Sequence, residues 1–420
     1  MTPSPRRWWV CVLLLAATTV NYLDRVTLNQ TAGDLKRAFA LRDTDYARLE
    51  SGFQLAFAAG AILFGVVVDR FGVWRTYPLA VVGWSAAGFL TGFAPSYWAV
   101  FGCRVALGLC EAGNWPCGVR AVRTVMPPAE RSLGSAILQS GTGLGAMLTP
   151  PVVAACLWWA GPDHPTAWQL PFRVIGLVGL GWVALWLLTV PRSLVDTPPD
   201  PGPQTPDPGF GAVFADRRFW LLALLVIGVN TTWHTFRVWL PLFLESQQGY
   251  SKAELQRFSF LYYAVADVGS WLAGGAVVLL HAGGVRLHPA RMWVFAAGVG
   301  FVVLSAALPW HRELGGTGTA AVILLTGFGA LGLFATYFTL SQEVSGRHQG
   351  KVTGVLGAIN SLWLAAVYLI QGKVADTLGG YDRVLGWAWV PAVVALLVVV
   401  VAWPRSDAKT GRQHIARHSG

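Results

Sequence analysis

Hydrophobic runs of about twenty residues alternate with short polar segments along the chain. A helix needs about 20 mostly apolar residues to cross the hydrocarbon core of a bilayer, which is about 30 Å thick. Several runs contain glycine, which closely packed membrane helices tolerate. The pattern predicts twelve membrane-spanning helices, at 8–28, 48–68, 76–94, 97–118, 132–159, 172–190, 219–244, 256–280, 291–310, 319–341, 349–372 and 385–403.

A proline-rich segment, 191–218, separates the sixth predicted helix from the seventh. Its centre, 198–209, reads PPDPGPQTPDPG, a composition that excludes a helix and favours a semi-extended linker. The linker divides the chain into an N-terminal bundle of six helices, 1–190, and a C-terminal bundle of six helices with a short basic tail, 219–420. We therefore expect an all-α membrane protein built from two six-helix pseudo-repeat halves.

The charged residues indicate an orientation in the membrane. Lys and Arg are more frequent in the segments on the side of the N-terminus than in those on the other side. Because cytoplasmic loops carry an excess of these residues, we expect a multi-pass protein of the cytoplasmic (inner) membrane with both termini and the linker in the cytoplasm. Only 12% of the residues are charged, and the net charge of +10 is spread over short loops, which argues against nucleic-acid binding.

The sequence contains no pattern typical of catalysis, a cofactor or a metal site. The glycine-rich segment 141–145 lies inside a predicted helix, not between a strand and a helix, which excludes a phosphate-binding loop. The histidines are dispersed, and the cysteines lie within hydrophobic runs without metal-ligand spacing. We therefore expect no enzymatic activity, cofactor or metal. We also expect a monomeric protein in the lipid bilayer.

An acid and a base are adjacent inside the first predicted helix. Asp24 lies about 25 Å along the helix axis from Arg7, still within the hydrocarbon core. Ionisable side chains at that depth cost several kcal/mol unless they face a cavity or a partner, and they commonly mark a transport path. The alternative is that Asp24 and Arg25 lie at the membrane surface and extend their charged ends into water.

A second pair of charges lies in the fourth predicted helix. Arg104 and Glu111 are nearly two helical turns apart, so they share one helix face at a separation of about 10 Å. This helix runs opposite to the first, which places Arg104 near mid-membrane and within reach of Asp24. Two acids that share one arginine make a proton relay physically reasonable. The alternative is a static ion network that fixes the register of the helices.

The loop after the second predicted helix reads GVVVDRFGVWR over 65–75. In such a loop the first glycine allows a neighbouring helix to approach, the acid can pair across the membrane face, and the second glycine permits a tight turn. The pattern resembles the gating loop characteristic of the major facilitator superfamily; a generic charged turn is the alternative. The residues that carry the resemblance are Gly65, Asp69, Arg70, Gly72 and Arg75.

Four further segments are similar to the anion:cation symporter family of that superfamily: 21–25, 104–116, 127–131 and 141–145. That family includes bacterial permeases for hexuronates and galactonate and the animal organic-anion transporters, and members of this kind are proton-coupled importers of small carboxylates. The resemblance implies that Asp24 and Glu111 are the titrating acids and that Arg104 is their partner. It also implies that Arg25 and Tyr22 contact the substrate anion.

Other polar and aromatic residues fall where a transporter of this kind lines its cavity. Gln54 and Phe57 on the second helix and Gln139 on the fifth are expected to contact sugar hydroxyls, and Asn360 on the eleventh is a further cavity candidate. Sugar-acid permeases commonly have a tyrosine at the position of Phe57, so the missing hydroxyl leaves the identity of the sugar open. The glutamines could instead hold neighbouring helices together.

The second half carries its own candidates. Asn230, His234 and Arg237 share one face of the seventh predicted helix. They could form part of a carboxylate or polyol site, with His234 as a titrating group. Equally, Arg237 could reach the outer surface while His234 is a packing residue. Asp267 on the eighth helix is either a cavity residue or a paired structural acid.

These observations lead to one expected function. We expect proton-coupled import of a small organic anion, with a sugar acid such as a hexuronate or an aldonate as the favoured substrate, by alternating access between the two halves. Arg25 would bind the carboxylate, and Asp24 and Glu111 would take up protons. The alternatives are sodium-coupled or exchange transport of another anion, such as a dicarboxylate or phosphate, and a transporter-like sensor that does not cycle.

Overall fold

The computed structural model describes residues 5–127, 130–161, 164–196, 210–344, 349–378 and 380–402. Over these ranges the chain forms α-helices and short 3-10 turns, and no β-strand. The α-helices are α1 (Pro5–Gln30), α2 (Ala32–Phe39), α3 (Asp43–Phe71), α4 (Val73–Thr91), α5 (Tyr97–Glu111), α6 (Asn114–Val125), α7 (Arg131–Ala160), α8 (Leu170–Thr189), α9 (Arg192–Val195), α10 (Arg217–Ser246), α11 (Lys252–Ala282), α12 (Leu287–Val303), α13 (His311–Val344), α14 (Gln349–Leu378), α15 (Tyr381–Gly386) and α16 (Trp389–Ala402).

The predicted hydrophobic runs coincide with these helices. Among the described residues, nine helical stretches are long and apolar enough to cross a membrane, and one of them, Leu287–Phe334, includes the ninth predicted span and most of the tenth. The fourth predicted span is interrupted between α5 and α6. Pro116 lies in the first turn of α6, where its missing N–H is harmless, so the chain starts a new helix there. The predicted all-α membrane fold is confirmed.

Each half has a hydrophobic core of its own. In the N-terminal half the ring of Tyr77 packs against Trp182 and Trp186, with centroids 5.1 and 5.4 Å away. The indole N–H of Trp182 also donates to the carbonyl of Leu13 at 2.8 Å, which ties α8 to α1. In the C-terminal half a separate core joins α10 to α12 and α16. A third core is shared between the halves, and in it the rings of Tyr46 and Trp239 pack with centroids 5.8 Å apart.

The halves are bonded to each other at the end of the bundle opposite to the start of α1 and the end of α16, here called the distal end. The carboxylate of Asp376 in α14 accepts hydrogen bonds from the backbone N–H groups of Asp43 and Thr44 at the start of α3, at 2.9 and 3.0 Å. Anions are favoured at a helix N-terminus. The Tyr381 hydroxyl donates to Asp43 at 2.6 Å and accepts from Lys36 at 2.7 Å. These bonds close the distal end.

The loop between α3 and α4 turns at Gly72, which has φ 80° and ψ 170°, a conformation that is essentially restricted to glycine. Asp196, just after α9, accepts a hydrogen bond from the backbone N–H of Trp74 at 3.1 Å. The expected approach of a helix at Gly65 is wrong, since no atom of another element lies within 4 Å of the position of an added Cβ. The reason is that this face of α3 points outwards: Ile62 is 69% exposed.

The charged residues of this loop lie at the surface of the bundle. Asp69 forms an ion pair with Arg120 of α6, and Arg70 and Arg75 are exposed. The guanidinium carbon of Arg70 lies 5.5 Å from the ring centroid of Phe71. Asp69 therefore links α3 to α6 within the N-terminal half.

Gly72→Ala should lower the melting temperature of the protein in detergent. The positive φ corresponds to about 1–3 kcal/mol of strain for an L-residue, and the new Cβ would lie 2.4 Å from an oxygen of Asp196. Gly65→Ala is the matched control, because its Cβ enters open space in a helix, where alanine is favoured over glycine by about 0.5–1 kcal/mol. Equal melting temperatures for the two variants would contradict the role of the Gly72 turn.

Parts of three predicted segments lie outside the described residues: the centre of the linker, at 197–209, the basic tail, at 403–420, and positions 128 and 129 of the motif at 127–131. The described parts of the linker form α9 at its start and a 3-10 turn, Phe210–Ala215, near its end. Val195 of α9 is buried in the core of the N-terminal half. The start of the linker is therefore packed against that half.

Candidate functional site

Arg25 of α1 and Glu111 at the end of α5 form a buried ion pair. Nε and Nη2 of Arg25 donate to Oε2 of Glu111 at 3.0 and 2.8 Å. Glu111 is fully buried, and Arg25 is 7% exposed. Both charges therefore lie inside the bundle, and Arg25 does not extend to the membrane surface.

Aromatic rings surround the guanidinium group of Arg25. The ring centroids of Tyr22, Phe53 and Phe57 lie 5.2, 5.0 and 4.9 Å from its central carbon. The Phe53 ring also lies 4.6 Å from the guanidinium carbon of Arg104. A cation placed over a ring gains about 0.5–2 kcal/mol. Phe53 therefore contacts two buried cations and brings them into one site.

Glu50 of α3 connects charges from the two halves of the protein. Its Oε1 accepts hydrogen bonds from Nη2 of Arg104 at 3.0 Å and from Nδ2 of Asn29 at 2.9 Å. Its Oε2 accepts from Nη2 of Arg237, in α10 of the C-terminal half, at 3.4 Å. Glu50 has no exposed surface, and each of the two arginines is 1% exposed. A single carboxylate thus joins both halves in the interior of the bundle.

The cluster continues into the C-terminal half through Arg237. Nη2 of Arg237 donates to the hydroxyl of Tyr368 in α14 at 3.3 Å, and this hydroxyl lies 3.2 Å from Nδ1 of His234. His234 precedes Arg237 by nearly one helical turn, so both side chains face α14. Arg237 is held by buried groups and does not reach the outer surface.

Asp24 is buried and unpaired. It is 1% exposed, and neither carboxyl oxygen has a hydrogen-bond partner within the described part of the chain. Its side chain points towards α4, where Gly88 leaves room: a Cβ on Gly88 would lie 2.6 Å from Oδ1 of Asp24. Burying an ionised carboxylate without a partner is strongly unfavourable, whereas a protonated carboxyl group is tolerated. Asp24 can therefore gain or lose a proton without breaking an ion pair.

Several buried polar groups next to these ion pairs have no partner within the described ranges. They include Nε and Nη1 of Arg104 and of Arg237, Oε1 of Glu111 and Nε2 of Gln54, and Oδ1 of Asn360, elsewhere on α14, is likewise buried without a partner. A buried polar group without a partner costs about 1–3 kcal/mol. These atoms supply cationic donors together with neutral amide donors and acceptors, which suits an anion that also carries hydroxyl groups.

Two of the candidate residues lie apart from this cluster or at its edge. Gln139 of α7 is half-buried. Asp267 of α11 lies against Gly143 of α7, where a Cβ would come within 2.8 Å of its carboxylate. Asp267 is therefore a residue of the contact between the two halves.

The pairing of the buried charges differs from the one expected from the sequence. Arg104 is not bonded to Glu111 but to Glu50, and Glu111 is bonded to Arg25. Asp24 and Arg25 are neighbours on α1 and so point about 100° apart around its axis, which directs Asp24 to α4, beside these pairs but bonded to neither of them.

Glu50 and Tyr368 are functional candidates that the sequence reasoning missed. Glu50 falls near the start of the second predicted helix, at 48–68, where an acid commonly faces water. A signal was nevertheless present: Glu50, Gln54 and Phe57 recur at i, i+4 and i+7, on one face of α3. Tyr368 lies in an apolar helix and gives no comparable signal.

The family model of the Major Facilitator Superfamily matches residues 14–368, which include most of both halves. The chain belongs to the Major Facilitator Superfamily. Solved structures of two transporters have the same fold. A bacterial homologue of the human lysosomal transporter Spinster, in an inward-facing and unoccupied conformation, has a TM-score of 0.77 at 21% identity, over 94% of this chain and 95% of that one. A D-xylose–proton symporter has a TM-score of 0.68 at 14% identity, over 93% and 96%.

This facilitator is also similar in sequence to curated transporters. It is 29% identical to the hexuronate transporter of Escherichia coli strain K12, over 94% of this chain and 93% of that protein. It is 28% identical to a probable sulfoacetate transporter of Cupriavidus necator, over 86% of each chain. It is 25% identical to a probable galactarate/D-glucarate transporter of E. coli strain K12, over 93% of each. The family resemblance of the motifs is confirmed: this is a multi-pass membrane transporter and not an enzyme.

Proposed function

We propose that this transporter imports a small organic anion together with protons, and that the anion is a sugar acid such as a hexuronate or an aldonate. The observation that carries the proposal is the buried cluster of Arg25, Arg104 and Arg237, in which two arginines keep unpaired donors. Guanidinium groups bind carboxylates through paired, charge-assisted hydrogen bonds. The relatives named above are a hexuronate transporter, a probable sulfoacetate transporter and a probable galactarate/D-glucarate transporter, and all of these compounds are acids.

The balance of buried charges supports coupling to protons. Within the described residues the buried cluster contains three arginines and three acids, Asp24, Glu50 and Glu111, so it is neutral when all are ionised. A substrate carboxylate adds one negative charge to a region of low dielectric, where an uncompensated charge is costly. A proton on Asp24 compensates for it without breaking an ion pair. One proton per substrate carboxylate therefore keeps the net charge of the site constant.

Glu111 is the second proton site. When Arg25 turns from Glu111 to the substrate carboxylate, with Tyr22 beside it, Glu111 loses its bonded cation and can receive the proton that Asp24 carries, so that one proton is taken up in all. The amides of Gln54 and Asn360, with Gln139 at the edge of the cluster, bind the sugar hydroxyls. The ring of Phe57 lies over the guanidinium group of Arg25 and borders the same site. His234 supports Arg237 through Tyr368.

The loaded site is exposed to each side of the membrane in turn by rocking of the two halves. The excess of Lys and Arg on the side of the termini supports an orientation with both termini in the cytoplasm and the distal end outside. With the distal end closed, substrate release is directed to the cytoplasm. The loop with Asp69, Arg70 and Arg75 then lies on the cytoplasmic face, where it takes part in gating.

Transport by the purified protein in sodium-free proteoliposomes tests this proposal. With an acidic exterior we expect radiolabelled D-galacturonate to accumulate above its external concentration, and a protonophore should abolish the accumulation. Uptake that requires sodium and ignores the pH gradient would contradict proton coupling. The absence of counterflow, in which internal unlabelled substrate drives entry of label, would contradict transport altogether and indicate a protein that binds without cycling.

A further inference from the structure

The two oxygens of Glu50 are held unequally by the two halves. Oε1 accepts two hydrogen bonds from the N-terminal half, from Arg104 at 3.0 Å and from Asn29 at 2.9 Å. Oε2 accepts from Arg237 of the C-terminal half at 3.4 Å, longer than the usual 2.7–3.2 Å of an N–H···O bond. The contact to Arg237 is therefore the weaker of the two, and Glu50 would stay with the N-terminal half if it broke.

Most of the hydrogen-bond donors of the Arg237 guanidinium group are unused. Its Nη2 is shared between Glu50 and the hydroxyl of Tyr368, and its Nε and Nη1 have no partner in the described ranges. A free carboxylate can form two short bonds to one guanidinium group, whereas Glu50 reaches Arg237 with one long bond. An entering carboxylate would therefore bind Arg237 better than Glu50 does.

We propose that Glu50 is a built-in competitor of the substrate. In the empty transporter its Oε2 occupies the anion position at Arg237. The substrate carboxylate, which is shared between Arg25 and Arg237, displaces it while Oε1 stays on Arg104 and Asn29. This inference rests on the proposed function and adds to it a residue that sets substrate affinity. Because the same contact joins the halves, its loss on binding also frees α10 to move relative to α3.

Such a competitor gives the transport cycle two properties. The empty site stays electrically neutral, so the halves can close around it without burying the charge of Arg237 unpaired. Affinity is lowered by the free energy needed to displace Oε2, which favours release of the substrate. Asn29 is a positioning residue in this scheme, since its amide holds Oε1 and donates at 2.8 Å to the hydroxyl of Tyr46.

The test is equilibrium binding of D-galacturonate to the purified protein, measured by isothermal titration calorimetry. Glu50→Gln removes the competing charge, and we expect the dissociation constant to fall by about tenfold, which is 1.4 kcal/mol. The side chain in Glu50→Asp is one methylene shorter, so its carboxylate should keep the hydrogen bond to Arg104 and lose the one to Arg237. The dissociation constant of galacturonate should therefore also fall in this variant. If Glu50→Gln does not fold, Glu50→Asp carries the test.

Glu245→Gln is the matched control, since Glu245 of α10 forms an ion pair with Arg37 of α2 between the same halves but near the distal end. We expect its dissociation constant to stay within about twofold of the wild type, below 0.5 kcal/mol. Equal tightening in this control would assign the effect to loosened halves and contradict competition. An unchanged or weaker affinity in the folded Glu50 variants would overturn the competitor role alone, whereas a wild type that binds no sugar acid would overturn the proposed function with it.

Discussion

Asp24→Asn should abolish accumulation of sugar acid driven by a pH gradient, while exchange of internal for external substrate continues. One proton per substrate supports about tenfold accumulation per pH unit, because one unit corresponds to 1.36 kcal/mol. Asparagine cannot take up the proton, so the accumulation ratio should fall to about 1, the value for transport without a driving force. The measurement is uptake of label by proteoliposomes with and without a pH gradient, beside counterflow in the same preparation.

The design of this experiment separates coupling from folding. Asp24 has no hydrogen-bond partner within the described chain, so its neutralisation breaks no ion pair and should leave the melting temperature unchanged or higher. Glu313→Gln is the matched control, since Glu313 is an exposed acid of α13. This variant should accumulate substrate as the wild type does. Normal accumulation by Asp24→Asn would remove this residue from the coupling mechanism.

Glu111→Gln should destabilise the protein strongly, by about 3–5 kcal/mol, because it leaves the charge of Arg25 buried without its bonded acid. Arg25→Met alone should have a similar effect, since it leaves Glu111 buried and unpaired. The double variant Arg25→Met, Glu111→Gln removes both charges and should recover much of the loss. Thermal unfolding of the four proteins in one detergent gives the coupling between the two positions.

The same four proteins distinguish an ion pair from two independent residues. Additive losses of stability in the double variant would contradict a buried pair between Arg25 and Glu111. The comparison with Asp24→Asn is informative, because two acids of similar burial, Asp24 and Glu111, then change stability according to whether they have a bonded partner. Glu111→Gln should also lose concentrative uptake, which must be measured on the fraction that remains folded.

The membrane helices and the family could be predicted from the sequence because they depend on local properties. Apolar runs of sufficient length specify helices in a bilayer. The turn at Gly72 is local too, since its φ of 80° is set by the chain that enters and leaves it. The contact expected at Gly65 was wrong because it depends on which face of α3 meets another helix, and local sequence does not encode that.

The candidate site was predictable in its composition but not in its pairing. Asp24, Arg25, Arg104 and Glu111 attract attention because charges are rare in apolar runs. Which charge bonds to which depends on helix rotation and on packing between distant segments. Glu50 and Arg237 are 187 residues apart in sequence, in different halves. Their contact is a property of the assembled fold.

The number of protons taken up when substrate binds tests the charge balance of the buried cluster most directly. Purified transporter in weakly buffered detergent solution at alkaline pH is mixed with D-galacturonate. The pH change is converted to the number of protons taken up by means of the buffer capacity, and this number is divided by the amount of galacturonate bound. We expect about one proton per bound galacturonate, which has one carboxylate, and little uptake by Asp24→Asn. Binding of galacturonate to the wild type without proton uptake would contradict compensation of the substrate charge by a proton.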